Sequence, residues 1–467
     1  MILAEDDATW RGLYGSGLLG RFVVLCVGVW LHAADTLITA TIAPAIVDDI
    51  GGVAFINWTI TLYEVGGIVA GAAAPLLCAR MGVRRVLGFA ALLYGGGCIV
   101  AGIAPHIGVL LAGRLAQGAG GGMLLALCYL AIHEWFAQSW WSRLFGIVAL
   151  IWGTGSLLGP LIGGVFAGLH AWRMAFLLFA AQAAALCLMA FLWLPADTPS
   201  RQDTAPWSAL PLLVLSAAAL LIAESGVASG VILSLSGALL GVALLYWAVR
   251  LDRRSRSRMF PPQTLDFRHP VGAGLAMTFA LSAATTGFWA YGPLILKVLF
   301  GTRPLVSGYI LAGEAVAWSL ASVAVAKVPV SADRNLIRVG AALTALGAAG
   351  YAIAVPTGML WGMVLCGLLQ GVGLGVCWPS IVHRMARYSA EADRPLAVAA
   401  PGTLQRIGYA VGAAATGIAA NLSGLAAGVS VTATKAAAFW VFAAFIPLLI
   451  LALICAWVFT RDADAPA

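Results

Sequence analysis

The chain has 467 residues, of which 62% are hydrophobic and 10% charged, with a net charge of +7 and 55 glycines. Soluble domains carry roughly a quarter charged residues. A mean hydropathy of +0.96 therefore excludes a soluble enzyme built on a large core, and with it the secreted, nucleic-acid-binding and disordered classes. Apolar stretches of about 20 residues recur from end to end, which predicts an all-α polytopic membrane protein.

In chain order, the N-terminus carries Glu5, Asp6 and Asp7 where a signal peptide carries positive charge, so no cleavable leader is expected. Trp10, Leu13, Tyr14 and Leu18 suit a short interfacial helix. Fourteen spans follow, at residues 22–46, 57–79, 84–104, 107–131, 143–168 and 172–194, then 207–224 and 230–250. The last six lie at 270–296, 304–328, 336–355, 358–382, 396–420 and 437–460. These group into a cytoplasmic segment (1–21), a six-helix bundle (22–195), a linker with an inserted helix pair (196–250) and a basic cytoplasmic linker (251–269). A second six-helix bundle (270–460) and a cytoplasmic tail (461–467) complete the chain.

Lys and Arg set the orientation, since they collect in cytoplasmic loops. With both termini inside, 20 of the 26 fall on the cytoplasmic side, including Arg80, Arg84, Arg85 and the run from Arg250 to Arg258. Only Arg173, Lys297, Arg303 and Lys435 fall outside, while Arg114 and Arg406 lie within spans. The basic linker is expected to enforce topology and to touch anionic lipid. The eight cysteines all sit in apolar runs with no C-x-x-C pair and no His-rich neighbourhood, so neither disulfides nor a metal site is expected.

The chain repeats itself. Gln117 to Gly122 matches Gln370 to Gly375 at a spacing of 253, which also carries Gly155 and Gly159 onto Gly408 and Gly412, and Arg85 onto Arg338. The repeat predicts two homologous six-helix bundles related by a pseudo-two-fold axis, with a substrate cavity between them near the midplane.

Several motifs stand in order along these helices. Ala34 to Pro44 reads A-D-T-L-I-T-A-T-I-A-P, and Arg114 to Gly120 reads R-x-x-Q-G-x-G. Gly155-x-x-x-Gly159-Pro160-x-x-Gly163-Gly164 follows on the fifth span, and Trp172-Arg173 opens the sixth. Together they resemble the major facilitator superfamily, specifically its fourteen-helix drug:proton antiporter branch, over nearly the whole chain. The resemblance implies a transporter rather than an enzyme. It also implies that Gly155, Gly159, Pro160 and Gly163 seal the cavity against leak, which favours exchange. One departure concerns the loop bearing Arg80, Arg84 and Arg85, where Ala79 replaces the family's aspartate; the second half keeps Asp333-Arg334. Conformational gating is expected to be rebalanced accordingly.

Buried charge is costly in a bilayer and marks pathways for substrates or protons. Asp35 lies past the middle of the first span, with His32 one turn before it and Thr39 one turn after. Partial burial penalises its ionised form, as a proton carrier requires; the alternative is a packing bond to Thr39. Arg114 lies at similar depth and is expected to bind and release Asp35 between conformations, or else to form a static pair. Gln117 is expected to act as packing glue beside the cavity. Glu64 and Glu314 are further candidate carboxylates, either protonating or paired with neighbours such as Arg114 for Glu64. Arg406 either balances Glu314 or meets an anionic group. Trp30, Trp152 and Trp318 are candidate pocket walls.

The sequence thus points to a proton-coupled antiporter exporting small amphipathic cationic or neutral compounds by alternating access. The alternative is a proton-coupled importer or organic-anion carrier on the same fold, suggested by Arg114 and Arg406. No phosphate-cradling loop is present, so a proton gradient, not a cofactor or ATP, is the expected driving force. The expected partners are substrate, protons and lipid, with no nucleic acid, and a monomer is expected to suffice. The Ala- and Arg-rich, Lys-poor composition suggests a bacterial plasma (inner) membrane.

Overall fold

A computed structural model describes residues 18–136, 138–195, 210–225, 231–255, 258–325, 328–425 and 428–461. The interfacial segment around Trp10 to Tyr14 lies outside the described residues. The elements are α1 (Leu18–Ile50), α2 (Trp58–Met81), α3 (Val83–Gly102), α4 (Ile107–Trp135), α5 (Gln138–Gly168) and α6 (Trp172–Trp193). They continue with α7 (Leu210–Ser225), α8 (Val231–Asp252), α9 (Pro270–Phe300), α10 (Pro304–Val325) and α11 (Asp333–Ala354). The last are α12 (Leu360–Arg387), α13 (Arg394–Leu422), α14 (Val431–Ala443) and α15 (Ile446–Phe459). Ala444 and Phe445 interrupt the final rod just before Pro447, which stands in the first turn of α15 where its missing N–H costs nothing.

Counting α14 and α15 as one rod, the described residues form fourteen helical rods, but only twelve are long and apolar enough to cross a membrane. Twelve rods meet that criterion, two fewer than the fourteen spans expected. The rod α7 has 16 residues, and α13 is diluted by Arg394, Gln405, Arg406 and many small residues. Several helices outrun their predicted ends, as α1 does at both termini. Hydropathy marks the hydrocarbon layer, whereas backbone hydrogen bonding continues until a turn residue stops it; Gly51 and Gly52 take positive φ just after α1.

The chain divides into two compact units. One holds residues 1–50 and 62–207, the other 51–61 and 208–467. In the first unit, α1 packs on α4, α5 and α6, and α3 packs on α4 and α6. In the second unit, α9 packs on α13 and α15, α11 on α12, and α10 on α12. The inserted pair α7–α8 belongs to this second unit, where α7 rests on α13.

Close glycine contacts give the residue-by-residue correspondence of the repeat. A Cβ on Gly118 would fall 2.0 Å from the carbonyl oxygen of Tyr63, and one on Gly371 would fall 2.0 Å from that of Glu314. Gly155 meets Ala33 and Ala34 of α1, as Gly408 meets Ser282 and Ala283 of α9. Gly97 meets Gly113 and Gln117, as Gly347 meets Cys366 and Gln370. The α3–α11 register therefore falls three residues short of the 253 spacing, so Arg85 corresponds to Asn335 rather than to Arg338. The stretch from Gly347 to Cys366 is three residues longer than that from Gly97 to Gly113, which accounts for the slip and which sequence matching across loops does not register.

Candidate functional site

The charged centre of the first unit is built on α1 and α4. Asp35 and Arg114 are each 2% exposed. An Arg114 terminal nitrogen (Nη1) donates to Asp35 Oδ2 at 2.6 Å. Gln117, one turn on, donates Nε2 to the other carboxylate oxygen at 3.2 Å and accepts from the same guanidinium nitrogen at 3.3 Å. Positions three apart on one helix face thus hold both oxygens of a single carboxylate. Gln117 also donates to Cys98 Sγ at 3.1 Å. That approach of α3 depends on Gly97, where a Cβ would fall 2.5 Å from the Gln117 backbone nitrogen.

A second string of contacts leads away from Arg114. Its guanidinium carbon lies 4.3 Å from the Tyr63 ring centroid, a cation–π arrangement. The Tyr63 hydroxyl is 2.8 Å from His32 Nδ1. His32 stacks on Tyr63 with centroids 5.5 Å apart and meets Trp152 edge-on at 5.6 Å. Tyr94 donates to the Leu31 carbonyl at 3.1 Å. Trp30 donates to Gln182 at 3.0 Å. Thr39 Oγ1 is buried without a hydrogen-bond partner, so the packing bond from Asp35 to Thr39 is not formed. Glu64 is buried beside Tyr63 in the chain.

In the second unit Glu314, 3% exposed, accepts from the Trp289 indole at 2.8 Å, so its partner is an aromatic donor on α9. Tyr351 lies between Phe288 and Phe442, with centroids 4.4 and 5.0 Å away, and stands within electrostatic reach of Glu314. Trp318 tilts against Trp378 at 5.9 Å, and Arg406 is half-buried on α13. The correspondence of the repeat sets Glu314 where the first unit has Tyr63, Gly367 where it has Arg114, and Ala284 where it has Asp35. The ion pair is a feature of one repeat only.

Gly155, Gly159 and Gly163 face α1 at Ala33 and Ala34, Leu37, and Thr41, with Pro160 inside the same helix. Arg80 and Arg85 are exposed, while Arg84 lies over the Phe191 ring at 5.2 Å. Asp333, retained in the second half, opens α11 and meets His383 Nδ1 at 2.7 Å.

Of the predicted residues, the structure brings Asp35, Arg114 and Gln117 into direct contact, and His32 and Trp152 into a second cluster. Gln117 is a direct partner of Asp35, not only packing glue. Sequence reasoning missed Tyr63, Tyr94 and Cys98; Tyr63 adjoins Glu64, and an aromatic beside an intramembrane acid was the signal available.

A model of the Major Facilitator Superfamily matches residues 25–368. A protein of Mycobacterium tuberculosis strain H37Rv, named as a probable multidrug-efflux transporter, is 31% identical across 90% of this chain and 91% of its own length. A multidrug resistance protein B homolog of M. tuberculosis strain CDC 1551 is 25% identical across 80% of this chain and 72% of its own. The crystal structure of a D-xylose-proton symporter superposes with a TM-score of 0.68 at 15% identity, covering 96% of this chain and 99% of that one, a likeness of fold.

Proposed function

The chain belongs to the Major Facilitator Superfamily and is a multi-pass membrane transporter, not an enzyme; from that premise we propose that it exports small amphipathic cationic or neutral compounds in exchange for protons. Alternating access carries the exchange, and all fourteen rods, α7 and α13 included, cross a bacterial inner membrane with both termini cytoplasmic. The multidrug-efflux relatives support the substrate class. The observation that carries the coupling is the pair Asp35–Arg114, 2% exposed on both sides and present in one repeat only. In this reading the carboxylate is ionised while Arg114 and Gln117 hold it, and takes a proton when a conformational change withdraws them.

Arg114 is occupied by Asp35, which favours cations over organic anions as substrates. Glu314 supplies a further carboxylate for a cationic group, and no cofactor is called for. The electrical part of the gradient contributes about 2.3 kcal/mol per charge per 100 mV.

The test uses proteoliposomes with an internal pH dye and a panel of lipophilic cations and neutral drugs. Substrate-triggered proton movement in the wild type, lost in Asp35→Asn, is expected. Proton movement that survives the substitution would shift the carrier role to Glu64 or Glu314. Binding of an organic anion, with no proton movement for any drug, would overturn the export reading.

A further inference from the structure

Between the ion pair and the rest of α1 lies a contact that the coupling scheme does not use. Tyr63 presents its ring face to Arg114 and its hydroxyl to His32 Nδ1. His32 is 2% exposed, so its ring is held within the unit rather than in a wide aqueous vestibule. The bond is also built for: a Cβ on Gly121 would fall 2.8 Å from the Tyr63 hydroxyl and 3.0 Å from His32 Nδ1. The missing side chain on α4 leaves room for the Tyr63–His32 bond.

We propose that His32, linked to Arg114 through Tyr63, is a second station for the coupling proton, occupied in alternation with Asp35. The inference rests on the coupling role of Asp35 and Arg114. With neutral His32 the phenol donates to Nδ1; in the imidazolium Nδ1 carries hydrogen, so the phenol hydrogen turns away and its oxygen accepts. A protonated His32 then puts positive charge at one end of the Tyr63 ring while Arg114 lies on its face. When Asp35 is ionised and paired, the guanidinium charge is compensated and the imidazolium is tolerated. When Asp35 takes a proton, Arg114 stands uncompensated and repels a second cation. The two groups therefore hold one proton between them, and Tyr63 is the positioning residue that makes each sense the other.

The charged and titratable groups that contacts place around this site are Asp35 on α1, Tyr63 on α2, Tyr94 and Cys98 on α3, and Arg114 on α4, with uncharged Trp152 from α5; Glu64 follows Tyr63 in the chain. Tyr94 lies within electrostatic reach of Asp35, Tyr63 and Arg114.

The experiment needs no substrate. The protein is labelled with nitrogen-15 at its six histidines and titrated by NMR in micelles, with His32 assigned by its loss in His32→Gln. If that variant fails to fold, replacing the other five histidines leaves a single signal to read. His32 is expected to show both a protonated and a neutral form as the pH is varied. At fixed pH its protonated-to-neutral ratio is expected to fall about tenfold in Asp35→Asn. Tyr63→Phe keeps the ring under Arg114 and removes the hydroxyl; it should reduce the response of His32 to Asp35→Asn, as should Gly121→Ala. Gly96→Ala, where a Cβ meets nothing within 4 Å, should leave that response intact. A His32 that does not titrate, or a ratio unmoved by Asp35→Asn, overturns the inference. Proton flux in Asp35→Asn is read separately: flux lost with an unresponsive His32 sinks this inference alone, whereas flux retained sinks the coupling reading beneath it.

Discussion

Asp35 gives up its hydration for two hydrogen bonds, one from the Arg114 guanidinium and one from Gln117, and the arrangement is stable only while the partners remain together. Removing one member of a buried ion pair leaves an uncompensated charge and costs roughly 3–5 kcal/mol, whereas replacing both with neutral groups of similar shape costs far less. Asp35→Asn and Arg114→Gln are each expected to lower the thermal midpoint in detergent markedly. The double variant should regain much of that loss while remaining inactive in transport. A double variant whose loss equals the sum of the two single losses would show that the contact between Arg114 and Asp35 carries no coupling energy. At Glu314, Glu314→Gln keeps an acceptor for the Trp289 indole and removes the charge. Affinity for lipophilic cations is expected to fall about tenfold, about 1.4 kcal/mol, with neutral drugs unaffected. Equal losses for both classes in a binding titration would reassign Glu314 to structure.

The helices approach one another through bare backbone, and that approach sets the distances at the charged centre. At Gly122 a Cβ would fall 2.3 Å from the Gly67 Cα, and at Gly118 it would fall 2.0 Å from the Tyr63 carbonyl. Backbone cannot rotate aside as a long side chain can, so α2 and α4 must part to admit a methyl group. Gly122→Ala is expected to cost roughly 1–3 kcal/mol, the usual range for overpacking, and to weaken the placement of Tyr63 beneath Arg114. Gly96→Ala, open on its outer side, should be neutral or slightly stabilising. Thermal unfolding of the two variants side by side decides this; equal midpoints would mean that the α2–α4 contact is not tight in the membrane.

Among the described residues, two rods fall short of the criteria that mark a span: α7 by length and α13 by its polar content. A helix shielded from lipid by its neighbours can cross with little hydropathy, and α13 packs on α7, α9, α12 and α14. Both rods are therefore expected to cross. Single cysteines at Glu391 and Val429 test α13, and single cysteines at Leu210 and Glu224 test α7, in a background free of the eight native thiols. All four positions are exposed. An impermeant maleimide should label Val429→Cys and Glu224→Cys in intact cells, and Glu391→Cys and Leu210→Cys only after permeabilisation. Labelling both ends of either rod from the same side would remove that rod from the crossings.

The sequence by itself determined the membrane class, the helical rods and their order, the two-fold repeat and which charged residues lie within the rods. Each of these is written along the chain: hydropathy fixes where a rod runs, and the motif around Asp35 and that from Arg114 to Gly120 fall within such rods. Only the tertiary structure decided who meets whom. Asp35 and Arg114 are 79 residues apart, and helical periodicity tells which residues share a face without telling which neighbour that face meets. Tyr63 was unremarkable in sequence and becomes the link between Arg114 and His32 because glycines at 118, 121 and 122 let α2 close on α4. The α3–α11 slip and the loss of the ion pair from the second repeat have the same origin. Contact depends on loop length and side-chain volume together, and neither is visible in a match of motifs at constant spacing.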